Sequence, residues 1–254
     1  MNIEGLQLSI IGPAFIVGLL VLATHVPLGQ EVLKRGIIFI DLAIAQMAGL
    51  GVIVAWHFGW EAHGWEVQVA ALSASLIGAL GLSWAEKHWG KHQEALIGIS
   101  FILAATASIL LLANNPHGGD SLKDLLVGQI LWTTSDQLLP TALVTCLIVW
   151  LLFNFRNRLG NLVFYILFAL AVTNSVQLIG VYLVFASLII PALGSLGHKK
   201  PLLIGFLIGA TGYGFGLIGS SLFDLPSGAV IVWSIAITAL LFKFIVKPAS
   251  QQLN

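Results

Sequence analysis

Asp41 is the one acid that lies well inside an apolar run. Its stretch reads Phe39-Ile40-Asp41-Leu42-Ala43-Ile44-Ala45-Gln46-Met47-Ala48-Gly49. A carboxylate is a hard oxygen ligand and an amide offers a weaker one, so Asp41 and Gln46 could border a cation path. Five residues on a helix give about 7.5 Å of rise and about 140° of rotation. The two side chains could therefore meet one cavity without sharing a face. His25 is the one histidine well inside a run. It could add an imidazole ligand, or merely hydrogen-bond to Asp41 between helices. Asn174, Ser175 and Gln177 form a polar group that could line a pore or break a helix. His57, Glu61, His63 and Glu66 cluster at one run end, and His117 lies near Asp120 in a connection. Such groups could attract a metal cation, or belong to a solvated loop. His88, His92 and His198 read as solvated. No Ser–His–Asp grouping, paired intramembrane acids or His-Glu-x-x-His is present, so no enzyme chemistry is expected.

The elements that must position these residues are apolar throughout. Of the 254 residues 58% are hydrophobic and 9% charged, with a mean hydropathy of +0.98. A water-facing surface needs about 25% charged residues, whereas a lipid-facing one needs none. The composition therefore gives an all-α, polytopic transmembrane helix bundle occupying residues 1–254 as a single domain. A net charge of zero supplies no basic field for nucleic acid. Cys146 is the lone cysteine, which excludes an internal disulfide; its apolar surroundings suggest a buried small hydrophobe. The first run lacks a basic leader and a cleavage pattern and reads as a retained helix.

Crossing a bilayer takes about 20 apolar residues. Such runs lie near 8–27, 36–58, 67–85, 95–113, 138–154, 161–177, 179–196, 202–223 and 226–246, which gives nine membrane-spanning helices. The division between the sixth and seventh falls where Asn174, Ser175 and Gln177 precede Gly180. With nine crossings Lys34, Arg35, Lys87, Lys91, Arg156, Arg158, Lys199, Lys200, Lys243 and Lys247 share one side, and Lys123 alone takes the other. The positive-inside rule then puts the N-terminus outside and the C-terminus inside. The connection 114–137 contains an amphipathic stretch whose Leu122, Leu125, Leu126 and Trp132 could lie along the interface or cap the bundle. Trp60, Trp65, Trp84, Trp89 and Trp132 sit near run ends as an aromatic belt would. Gly205, Gly209, Gly212 and Gly216 allow close packing in the eighth run.

Three stretches resemble the permease subunits of zinc/manganese-type ATP-binding-cassette importers. Gly36 to Gln46 is similar to that family's second-helix motif. Glu94-Ala95-Leu96-Ile97-Gly98-Ile99-Ser100-Phe101 is similar to its acid-x-x-Ile-Gly-Ile-x-Phe signature. Leu178-Ile179-Gly180-Val181-Tyr182, running on to Pro191-Ala192, is followed at a family-like distance by Asp224-Leu225-Pro226-Ser227-Gly228. Typical members read Asp-Ala-Leu-Ser-His in the second helix, and that Asp and His are their proposed metal ligands. Here Ala45 stands four residues after Asp41, and Gln46 falls where the histidine would stand if the Gly-Leu-Gly end is aligned. The segment 155–160 is also shorter than the corresponding cytoplasmic loop.

The resemblance implies a multi-pass subunit of the bacterial cytoplasmic (inner) membrane, with no permanently bound cofactor and a divalent zinc or manganese ion as cargo. It implies a separate ATPase subunit, an extracytoplasmic metal-binding protein and a homodimer with the path at its interface. By order along the chain, Ser195, His198, Lys199 and Lys200 would belong to the ATPase-coupling element. There is no Walker motif, so ATP hydrolysis is expected in the partner. The missing histidine leaves a metal chelate as an alternative cargo. A self-sufficient channel or carrier is a further alternative, although Asp41 alone is thin provision for ion coupling.

Overall fold

The computed structural model describes residues 8–60, 64–154 and 160–245. Among them the regular structure is helical: α1 Leu8–Arg35, α2 Ile40–His57, α3 Trp65–Trp89, α4 Gln93–Leu112, α5 Gly118–Val127, α6 Ser135–Asn154, α7 Asn161–Gly194, α8 Pro201–Phe223 and α9 Ser227–Ile245. Seven stretches are long and apolar enough to cross a membrane, one of which, Trp65–Leu112, contains both α3 and α4. Helices satisfy their own backbone groups, so they are the form such apolar runs can take in lipid.

α2 and α7 make the core. In each, 67% of the most apolar window is buried, against 17% across α3 and α4. Exposed Ile77, Leu80, Ile102 and Leu103 cover α3 and α4, and Leu139, Leu143 and Leu147 cover α6, as a hydrocarbon-facing surface requires. Cys146 is exposed on this α6 surface, which corrects the expectation that it is buried. An apolar run looks the same in sequence whether it faces lipid or core.

The expected division at 161–196 is present as a break inside α7. Gly180 takes φ 77° and ψ 163° between two helical halves, a conformation open to glycine and strained for other residues. A straight 34-residue helix would hold its ends about 50 Å apart. Yet both ends of α7 meet the same end of α1. Asn161 Oδ1 accepts from Arg35 Nη1 at 2.9 Å, the Arg35 guanidinium lies 4.2 Å from the Phe164 ring centre, and Leu188 and Ala192 pack on Gly29. The chain therefore doubles back at Gly180.

Side-chain bonds anchor the first half of α7 to its neighbours. Thr173 Oγ1 donates to Ser75 Oγ at 2.6 Å, and Gln93 donates to Tyr165. The second half is tied to α8 by Ser187 Oγ and Tyr213 Oη, 2.8 Å apart. Close approach elsewhere depends on absent side chains. On α8, Gly205 and Gly209 admit Val26 and Leu22 of α1, while Gly212 and Gly216 admit Ile235 and Ile231 of α9. These contacts fix helix direction and bring every described Lys and Arg except Lys123 to the end of the bundle that carries Arg35. Trp60, Trp65 and α5 lie at the opposite end.

α5 is the amphipathic stretch expected along the interface or across the bundle. It caps and enters the bundle: Leu125 reaches Gly49 of α2. Its C-terminus is clamped by backbone. A Cβ at Gly180 would strike the Val127–Gly128 peptide, one at Gly128 would strike Ile179 and Gly180, and one at Gly228 would strike the Val127 carbonyl. The two glycines singled out in the third motif, Gly180 and Gly228, thus converge on one peptide unit.

Candidate functional site

Two cavities lie on either side of α5. Toward the Trp60 end, a polar cavity of about 340 Å³ is lined by Trp56, Gln68, Asp124, Gln129, Gln137 and Gln177, with Val52, Leu125 and Leu178 completing its wall. An apolar cavity of about 580 Å³ is bounded by Leu122 and Leu126 of α5, Phe101 and Ile109 of α4, and Tyr182 and Phe185 of α7. Gln46 supplies its one side-chain amide. The gap between them measures about 10 Å³, and both Leu125 and Gln46 border it. A water needs roughly 10–15 Å³, so this gap has room for one water at most.

The sequence candidates are distributed unevenly over this layout. Gln46 faces the apolar cavity and the gap, with 6% of its surface accessible. Asp41 is fully buried, lines neither cavity, and accepts no hydrogen bond at either carboxylate oxygen. The alternative Asp41–His25 bond is therefore not formed. His25 is also fully buried. Its Nδ1 donates to the Val21 carbonyl at 3.0 Å, beside the Thr24 hydroxyl, which leaves the lone pair on Nε2. That nitrogen has no protein partner. Fixing one imidazole nitrogen in this way presets the other as an acceptor or ligand.

Gln177 lines the polar cavity, where its Oε1 accepts from Gln68 Nε2 at 2.7 Å. Asn174 and Ser175 are not among that cavity's lining residues. Four of the cavity's six polar residues, Gln68, Asp124, Gln129 and Gln137, carried no signal when read singly. Each falls at or near a helix end, where polar residues are expected. Among the described residues no three of His, Cys, Asp and Glu gather closely enough to hold a metal ion. Glu61 and His63 lie outside the described residues; the His57 ring meets Phe58 edge-on.

The expected coupling residues form the turn between α7 and α8. Ser195 is fully buried; its N–H donates to Pro191 O at 3.1 Å and its hydroxyl to Ala192 O at 2.9 Å. His198 Nδ1 lies 3.3 Å from the Ser195 carbonyl, to which it donates. Lys199 and Lys200 are exposed, beside exposed Leu193 and Leu196. Ser195 thus shapes the turn, and the lysines and leucines form its surface.

A bundle of long helices with an apolar outer surface, holding two cavities on either side of a short helix, defines a multi-pass membrane protein. The chain belongs to the ABC 3 transport family, whose profile matches residues 7–165 and 154–247. It is 26% identical over 260 residues to the "Uncharacterized membrane protein in ycf23-apcF intergenic region" of Cyanophora paradoxa, covering 93% of this chain and 84% of that protein. It is 24% identical over 254 residues to the "Manganese transport system membrane protein MntC" of Listeria innocua, covering 91% and 89%. Its fold resembles that of PsaBC from Streptococcus pneumoniae, solved in complex with Fab. The TM-score is 0.76 at 21% sequence identity, over 100% of this chain and 96% of that one.

Proposed function

We propose that this chain is the membrane-spanning permease subunit of an ATP-binding-cassette importer that moves a divalent transition metal, zinc or manganese, across the bacterial cytoplasmic membrane. The observation that carries this reading is Asp41: a fully buried acid whose oxygens accept nothing from the chain. Burying a carboxyl group without a partner is costly, so an acid kept there is a functional group by default. Family membership and the manganese-transport relative support the class of cargo.

The chain crosses the membrane nine times, the two halves of α7 counting separately, with its N-terminus outside and its C-terminus inside. Support comes from the gathering of the described basic residues at the Arg35 end, which the positive-inside rule makes cytoplasmic. A second copy laid against exposed Ile109 and Tyr182, which line the apolar cavity, closes that cavity and completes the path at a dimer interface. A separate ATPase docks at the 195–200 turn and supplies the hydrolysis, and an extracytoplasmic binding protein delivers metal at the Trp60 end.

Proteoliposomes holding this chain with its ATPase, supplied with binding protein, ATP and radiolabelled zinc or manganese, test the reading. The expected result is ATP-dependent accumulation of one metal. A complex that hydrolyses ATP yet accumulates neither would exclude both metals as cargo.

A further inference from the structure

The surface of the α3–α4 hairpin changes character along one stripe. Ile77, Leu80, Trp84 and His88 are all exposed and follow at steps of three and four, so they share one face of α3. Ile77 and Leu80 belong to the hydrocarbon-facing surface. From Ile77 the stripe rises about 10 Å to Trp84, at the end of the bundle that carries Arg35.

There the aromatic rings are set against one another. The Trp84 and Trp89 rings meet edge-on with centres 5.1 Å apart, and the His88 ring centre lies 4.5 Å from that of Trp84. His88 Nδ1 donates to the Trp84 carbonyl at 2.8 Å. Lys87 precedes this group, and Lys91 follows it on the short turn Gly90–His92; both lysines are exposed. Among the described residues neither forms an ion pair. The acids nearest in sequence are engaged inward: Glu86 accepts from the Tyr165 hydroxyl of α7, and both carboxylate oxygens of Glu94 are buried. The stripe thus ends in an ordered aromatic ledge flanked by two positive charges that no acid of the chain neutralises.

We propose that this ledge holds an anionic phospholipid. An acyl chain lies along Ile77 and Leu80, and the Trp84 indole meets the glycerol and ester level, as interfacial tryptophans do. The phosphate lies between Lys87 and Lys91, as acidic headgroups do beside basic residues at a helix end. A free anion would use the lysines and have no use for the stripe. A protein partner arriving from water would meet the lysines but not Ile77, about 10 Å deeper in hydrocarbon. A phospholipid matches both parts. The site needs only that α3 crosses the membrane, so it stands apart from the import reading.

The test is native mass spectrometry of the full chain in a non-ionic detergent, titrated with phosphatidylglycerol or with phosphatidylcholine of matched acyl chains. The expected result is phosphatidylglycerol held about tenfold more tightly. The double variant Lys87→Gln/Lys91→Gln should erase that preference, and Trp84→Ala should weaken both lipids several-fold. Lys199→Gln/Lys200→Gln removes the same charge from another loop at that end and should leave the preference intact. All four lysines are exposed, so melting of both double variants should match that of the parent protein. Equal retention of the two lipids would overturn the proposal, and so would an equal loss in the two double variants, which reduces the effect to net charge. Displacement of the lipid by inorganic phosphate would make this a site for a free anion. Displacement by the ATPase subunit would make the ledge a protein-docking surface, and either result overturns the lipid site.

Discussion

The two cavities flanking α5 differ in nearly every property. One is lined by amides, a carboxylate and an indole N–H; the other is aliphatic and aromatic with a single amide, Gln46. One helix of ten residues separates them. Asp124 of α5 faces the first, Leu122 and Leu126 face the second, and Leu125 touches both the polar cavity and the gap. An amphipathic helix in this position has no lipid surface to match. Its two faces match two chambers, one suited to selecting a polar solute and one that offers it almost nothing to bind. The element between the two cavities is therefore a short helix held at its C-terminus by backbone contact with α7 and α9.

The clamp is where the largest effect is expected. Gly180→Val puts a β-branched residue at a positive φ and drives its side chain into the Val127–Gly128 peptide. The backbone conformation alone costs about 1–3 kcal/mol, and the clash adds to it. The variant should lose its monodisperse size-exclusion peak or melt far below the parent protein in detergent. An unchanged melting profile would show that α5 and α7 are not locked together there.

Asp41→Asn should separate function from stability. Asp41 accepts no hydrogen bond from the chain, so its replacement breaks none, and expression and melting should stay near those of the parent protein. Uptake in the reconstituted system should fall at least tenfold, the effect of roughly 1.4 kcal/mol in an equilibrium or a barrier. Normal uptake would remove Asp41 from the path and leave the cavities as the whole route.

Leu125→Ala attacks the divider itself. The side chain is half-buried, so the loss in stability should be about 1–2 kcal/mol, below the 2–5 kcal/mol of a fully buried leucine. The wider gap should let solute pass between the cavities without ATP, read as a metal leak from loaded proteoliposomes. A tight variant would place the barrier elsewhere along α5.

Much of the fold was legible in the sequence because a hydrocarbon layer makes a simple demand: about 20 apolar residues per crossing. The break in α7 was legible too, since Gly180 follows a polar triplet in an otherwise apolar stretch. Its direction followed from the charges, since separate sixth and seventh crossings keep every basic residue but Lys123 on one side, and the contacts of Asn161 and Ala192 with one end of α1 agree with a reversal there. The place of α5 was hidden, because the same amphipathic pattern serves an interfacial helix and a plug. Cys146 was misread because lipid-facing and core-facing surfaces are equally apolar. The polar cavity drew on Gln68 and Gln177, 109 positions apart, and no local window joins them.

Gln46 offers the smallest and most discriminating effect. It is the one side-chain amide in the apolar cavity, and it borders the gap below Leu125. Gln46→Leu should leave the fold intact, since an apolar side chain of similar size suits those surroundings, and should lower uptake only several-fold if Asp41 carries the stronger interaction. Gln46→His is the sharper change. An imidazole is a better ligand for zinc than an amide, so the variant should shift the zinc-to-manganese uptake ratio toward zinc. The polar cavity lies on the far side of α5 and should be left as it was. A parallel change in both cavities would mean that α5 transmits changes rather than dividing two independent chambers.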